Sequence, residues 1–273
     1  MSKIENKFTL TREQSLFLAK KKWDENIYCG MKMENRNVTF PETQTILQGV
    51  NVGRLALDDI QAILNMRDGW RYVLDTLDAP LDLAYLCRLN GFVSRQHPCC
   101  HEFSHRYAYC ENSGLVVARR PCRAGGKCVL RTGAVGISGT VYTPPLPDEE
   151  KARRELAALV ASGGNSPTEN ATATAPDKAT AIALDKATAI ALDIFLWCAR
   201  AQLFWDGNKR TSLLAANKVL VCAGCGVLTI TDPFLPEFNT LLTQYYETGN
   251  GEDLRQFLFD NAISGIEFCS MMR

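Results

Sequence analysis

At 273 residues the chain is long enough to bury a sizeable core, as one large domain or two small ones. Its 46% apolar and 22% charged residues suit a soluble globular protein, and thirty basic residues cancel thirty acidic ones, so no net field argues for nucleic acid or membrane as a partner. No apolar run approaches the roughly 20 residues that span a bilayer, and the opening MSKIENKFTLTREQ lacks the apolar stretch of a secretory signal, which points to the cytoplasm.

Residues 11–26 predict a helix, with Thr11 as N-cap and Leu16, Phe17 and Trp23 on an apolar stripe. Residues 38–49 predict a short helix that starts at Pro41 and stops at Gly49. Residues 58–77 form an amphipathic pattern through Ile60, Ile63, Leu64, Trp70, Val73 and Leu74, and residues 81–92 form another. Helices packed on helices, an all-α class, is the architecture these patterns predict. Residues 1–76 are expected to form an N-terminal helical region and 77–268 the core.

The character changes over residues 95–128. This stretch holds all three histidines (His97, His101, His105), and with Cys87 just upstream it gathers six of the eleven cysteines. Metal ligation is the sharper reading of such a cluster. Zinc sites, however, present paired Cys/His hooks at matched spacing, and no second pair is present here. A surface insertion is the plainer reading. Cys29, Cys198, Cys222, Cys225 and Cys269 sit in apolar or helical surroundings suited to buried thiols, and a disulfide framework is not expected in the cytoplasm.

Residues 130–145, LRTGAVGISGTVYTPP, carry the clearest β signal. Val135, Ile137, Val141 and Tyr142 flank Ser138-Gly139, a dipeptide suited to a tight hairpin turn, and Pro144-Pro145 ends the pairing. A charged helix is expected over 148–161, then a low-complexity linker over 162–176. The octapeptide DKATAIAL follows twice in tandem, at 177–184 and 185–192. Its alanines and leucines favour helix. Eight residues leave the second copy about 80° out of phase with the first. It is expected to be an inert duplication that lengthens the helix leading to Trp197 and Arg200.

The stretch Gln202-Leu203-Phe204-Trp205-Asp206-Gly207-Asn208-Lys209-Arg210-Thr211 concentrates the chemistry. It separates two apolar helical runs, and the second, 211–223, ends at Gly224. Amides at a helix start have no intrahelical acceptor, and the helix dipole favours an anion there. With Lys209, Arg210 and a carboxylate suited to magnesium at Asp206, these are the parts of a nucleotide phosphate site. A short strand over 226–230 and helices over 238–247 and 253–268 complete the chain.

The order Phe204-x-Asp206-Gly207-Asn208-Lys209-Arg210 resembles the signature loop of the Fic (Fic/Doc, Fido) family, His-Pro-Phe-x-Asp/Glu-Gly-Asn-Gly/Lys-Arg. The resemblance implies a helical bundle with a small β-hairpin flap, which residues 130–145 would supply after a Leu-Arg element like Leu130-Arg131. It implies a nucleotidyltransferase that moves AMP from magnesium-ATP to a serine, threonine or tyrosine hydroxyl of a target protein. Asp206 would hold the magnesium. Gly207, Asn208, Lys209 and Arg210 would bind the phosphates, with Phe204 as an anchor for the loop. Ser138, Gly139, Thr140, Val141 and Tyr142 of the flap would hold the target by strand-type pairing. An antitoxin-like regulator is a further implied partner.

Gln202-Leu203 replaces the family's His-Pro, so the catalytic position of the general base is a glutamine. An amide can orient a hydroxyl but has no useful basicity, and loss of a general base costs ~10²–10⁴-fold. Weakened or altered transfer is therefore one expectation, and an inactive Fic-fold module that binds a partner through the flap is the other. Two more family features are expected to be missing together. Leu213 stands where many Fic loops have a second arginine. The nearest match to the inhibitory Ser/Thr-x-x-x-Glu-Gly/Asn segment, at residues 43–49, has Gln48 before Gly49 and is out of register.

Overall fold

The computed structural model describes residues 4–95, 130–162 and 186–266, together with the backbone of a short strand pair, β1 (Ala108–Tyr109) and β2 (Val116–Val117). The rest of the Cys/His-rich stretch with its zinc alternative, the linker after residue 162 and the first octapeptide copy lie outside the described residues.

Ten helices make up the described fold. Thr11 caps α1 (Arg12–Lys21) in a reciprocal box: its hydroxyl accepts from the Gln14 amide at 3.2 Å and its own amide donates to Gln14 Oε1 at 2.8 Å. The single helix expected over 11–26 is two, because the backbone leaves helical geometry at Lys22 and α2 (Trp23–Lys32) starts after it. The split lets Leu18 and Ala19 face α8 while Ile27 and Met31 enter the core beside α3 and α4. A second capping box, Thr39 with Glu42, starts α3 (Phe40–Leu47), and Gly49 follows it with φ +85°. α4 (Leu57–Asp75) and α5 (Leu83–Val93) pack against each other. Asp148 caps α6 (Glu149–Ala161), accepting from the Lys151 amide at 2.9 Å.

The centre is the pair α7 (Ala187–Ala201) and α8 (Asn208–Ala223), which pack on each other more extensively than any other two elements described. Helix α8 is buried on almost every face. Such a helix must satisfy its polar groups internally. Asn217 does so with three bonds: its Nδ2 donates to the Leu213 and Leu228 carbonyls and its Oδ1 accepts the Leu228 amide. Lys218, 2% exposed, donates to the Thr76 and Leu77 carbonyls at 2.6 and 2.9 Å and lies 4.7 Å from the Tyr85 ring centroid. Burial pushes its ammonium down to about 8.

Beyond α8, β3 (Val227–Leu228) pairs antiparallel with β4 (Ile263–Ser264), with α9 (Leu235–Thr248) and α10 (Glu252–Asn261) between them. The last helix therefore stops short of the expected 253–268, because Ile263 leaves it to pair with Leu228. One apolar cluster takes residues from Ile4 to Ile263.

Two further expectations are corrected. The second octapeptide copy is not inert, since Ala187, Thr188, Ile190, Ala191 and Leu192 are all buried core residues of α7. Residues 130–145 do turn at Ser138-Gly139, with Gly139 at φ +83° and the Thr140 amide reaching the Ile137 carbonyl at 3.4 Å, but their arms form no strand ladder. The buried Arg131 guanidinium holds the base of the turn instead, donating to the Gly133, Pro144 and Pro145 carbonyls. Prolines at 144 and 145 have no amide hydrogen to contribute to a ladder.

Candidate functional site

The site forms where α7 ends and α8 begins. Gln202 closes α7 in the left-handed region, φ +46° and ψ +54°, a conformation that costs a residue other than glycine about 1 kcal/mol or more. Its side chain offsets that cost. Nε2 donates to the Ala199 carbonyl at 2.7 Å, and Oε1 accepts from Asn208 Nδ2 at 3.0 Å. Both ends of the amide are therefore engaged in holding the bend. Arg131 adds a cross-tie, its Nε donating to the Gln202 carbonyl at 2.6 Å and its amide to the Leu203 carbonyl at 2.9 Å.

Asn208 organises the loop from the other side. Its Oδ1 accepts the Phe204 amide at 2.9 Å, and its Nδ2 donates to the Phe204 carbonyl at 2.8 Å as well as to Gln202. The asparagine side chain thus faces into the loop. Its backbone, with that of Lys209, forms the first turn of α8. Phe204 is buried as an anchor. Gly207 starts the helix at φ +74°, where a Cβ would lie 3.0 Å from Val93 and 3.2 Å from Asn90. Asn90 Nδ2 donates to the Asp206 carbonyl at 2.8 Å. Trp205 packs against Gly133 so closely that a Cβ there would lie 2.7 Å from its ring. Flap base and loop are in direct contact.

The charged groups converge at the start of α8. Asp206 Oδ2 accepts from Arg210 Nη2 at 2.9 Å, and Arg210 Nη1 donates to the Val93 carbonyl at 2.7 Å. Glu34, which lies far from the loop in sequence, comes in from just past the end of α2. Its carboxylate lies 3.6 Å from Arg210 Nε and 3.4 Å from Lys209 Nζ, and Lys209 also donates to the Met33 carbonyl at 2.9 Å. The loop's two cations are thus already faced by an acid from a distant helix. The segment Gly30-x-x-x-Glu34-Asn35 has the Glu-Asn ending of the inhibitory motif, with glycine at the Ser/Thr position and Asn35 at φ +56° turning the chain away. Glu34 meets the loop's own Arg210, and residue 213 is a buried leucine. A Glu-Asn step directly after a helix was the signal in the sequence.

Tyrosines close the opposite side. Tyr142 of the flap lies parallel to Tyr246 of α9, ring centroids 6.2 Å apart, and the Arg200 guanidinium sits 4.3 Å from the Tyr142 centroid. Thr140 reaches Glu247 at 3.2 Å. Val141 is 90% exposed at the turn, and Ser138 and Gly139 are also exposed. Of the flap residues expected from the sequence, Tyr142 and Thr140 face α9 and the end of α7, while Ser138, Gly139 and Val141 stand exposed at the turn.

Among the described residues no group of three or more His, Cys, Asp or Glu could hold a metal ion. Magnesium is commonly bound through one or two carboxylates with phosphates completing its shell, and the partly exposed Asp206 beside a helix start fits that mode. No helix of the described residues is long and apolar enough to cross a membrane.

No family model matches the chain, and no curated protein matches it by sequence. Solved structures do match its fold. A Caenorhabditis elegans protein, Fic-1, shares 12% identity with a TM-score of 0.61, covering 93% of this chain and 64% of its own. A Fic-domain-containing signalling protein from Bacteroides thetaiotaomicron shares 15% identity at a TM-score of 0.61, covering 91% of this chain and 84% of its own. A Fic family protein from Desulfovibrio desulfuricans shares 15% identity at 0.58, covering 92% and 66%. The chain thus spans about two thirds of the worm and Desulfovibrio structures. At these identities the likeness establishes the fold: the chain folds as Fic-domain proteins do.

Proposed function

We propose that the chain binds a magnesium-nucleotide at residues 206–210 and transfers AMP, or a related phosphoryl group, weakly to a hydroxyl of a protein target held at the flap. The observation that carries this reading is the convergence of Lys209, Arg210 and Asp206 on the first turn of a sixteen-residue buried helix, beside a turn that leaves Val141 exposed. Magnesium, brought with the nucleotide, would neutralise phosphate charge. The α8 amides and the Lys209 and Arg210 side chains would orient the phosphates once Glu34 withdraws, and Trp205 against Gly133 would fix the flap relative to them. Gln202 acts in this account as a brace for the loop. Its amide is neither basic nor unengaged, so proton removal from the target hydroxyl has no side-chain helper there, and the rate would rest on positioning.

The same engagement of Gln202 favours a second reading, a Fic-fold module that holds a partner at the flap without chemistry. Titration calorimetry with magnesium-ATP, wild type against Arg210→Ala, tests the nucleotide reading, and absence of binding by the wild type and Glu34→Gln alike would overturn it. Incubation with labelled ATP, with Gln202→His alongside, separates the two: label on protein in either form supports transfer, and none in both favours the module.

A further inference from the structure

Two polar atoms of the site are buried without a hydrogen bond among the described residues: Arg210 Nε and the Tyr246 hydroxyl. An unmatched buried donor costs about 1–3 kcal/mol, and a fold rarely leaves one without a use. Tyr246 is 3% exposed, held in α9 between the rings of Tyr142 and Tyr245, so its hydroxyl cannot swing out to water. The Gln202 amide acts on it without completing a hydrogen bond by geometry, and both ends of that amide are already engaged. The charge of Glu34 bears on both orphaned groups. Burial, reinforced by that carboxylate, pushes the phenol up, so the hydroxyl stays protonated and is a donor.

We infer that Tyr246 is a ligand-contacting residue of the anion site, its hydroxyl donating to a phosphate oxygen of the bound nucleotide when Glu34 leaves Arg210. The inference rests on the nucleotide-binding reading and adds to the loop a donor that the loop's own sequence does not contain. It also explains how the flap acts on the site, since Tyr142 stacks on the ring that presents the donor.

The test is Tyr246→Phe in the full chain, in the wild-type and Glu34→Gln backgrounds, with magnesium-ATP and magnesium-tripolyphosphate as probes. Expected are affinities for both probes about tenfold weaker, with the melting temperature of the free protein unchanged or raised, because the hydroxyl has no partner to lose. Unchanged affinity in Tyr246→Phe, while Arg210→Ala abolishes binding, overturns this inference and leaves the nucleotide reading standing. Loss toward ATP alone overturns the phosphate assignment, since the acceptor would then lie on the nucleoside. A clear fall in melting temperature overturns it too, because the hydroxyl would be bonded within the fold. If neither background binds either probe, both readings fall.

Discussion

Glu34 and Arg210 stand 3.6 Å apart, carboxylate to Nε, with the acid shared by Lys209 at 3.4 Å. An anion that uses these cations must displace the carboxylate first. Glu34→Gln keeps the shape and removes the competition. A half-buried ion pair of this kind contributes on the order of 1 kcal/mol, so affinity for magnesium-ATP should rise about fivefold or more. Calorimetry on the two forms reads this directly. Equal affinities would show that the pair does not gate the site.

Asn208→Ala removes three hydrogen bonds that set the loop, to the Phe204 amide and carbonyl and to Gln202. Two backbone groups and a glutamine amide lose their partner in a buried place, at a cost of about 2–3 kcal/mol. The urea midpoint should fall accordingly, and the left-handed turn at Gln202 should loosen with it. A midpoint within experimental error of wild type would show that other contacts set the loop.

Arg131→Met tests the cross-tie between flap and loop. The guanidinium is 2% exposed and serves the carbonyls of Gln202, Gly133, Pro144 and Pro145. Methionine matches its apolar stem but leaves those carbonyls unmatched, with an expected loss of about 3–5 kcal/mol. Hydrogen exchange should quicken at residues 133–143 before it does in α7. Uniform quickening would mean the residue supports the fold as a whole and not the flap in particular.

Lys218 makes a prediction about pH. Its folded value is lowered to about 8 from the usual 10.5, so between those limits the unfolded chain binds more protons than the folded one. Stability from this group therefore rises as pH climbs from about 8 to 10.5. Burial holds Cys29 and Tyr28 up at about 12 in the folded state, and these oppose the trend once pH passes their unfolded values near 9 and 10. Between pH 8 and 9 the buried thiols of Cys198 and Cys225, raised as well, add to that opposition, so the lysine's share is read against a variant that lacks it. Urea unfolding across that interval should show wild-type stability rising more steeply than that of Lys218→Met, and parallel slopes would contradict the assignment.

The helices were legible because their apolar spacing is local, and so was the cap at Thr11. The loop motif was legible because its residues are contiguous. Glu34 was missed because its role exists only after α2 docks beside α8, a pairing that no local pattern encodes. The flap was seen as a turn but given strands it lacks: Val135, Ile137 and Val141 alternate as strand residues do, while the groups that hold its arms are a buried arginine and backbone carbonyls. Gln202 was legible as a missing base. Its second role, bracing the bend through Ala199 and Asn208, became visible only with the backbone in place.

The octapeptide has a consequence of its own. Because the copies at 177–184 and 185–192 are identical, deleting eight residues anywhere within them yields one and the same chain, and adding a copy changes nothing from Asp185 onward. The residues that α7 contributes to the core are thus immune to replication slippage in the repeat. A change of copy number by this route alters the count of residues between α6 and the helix that carries Gln202 and leaves the sequence of that helix as it is.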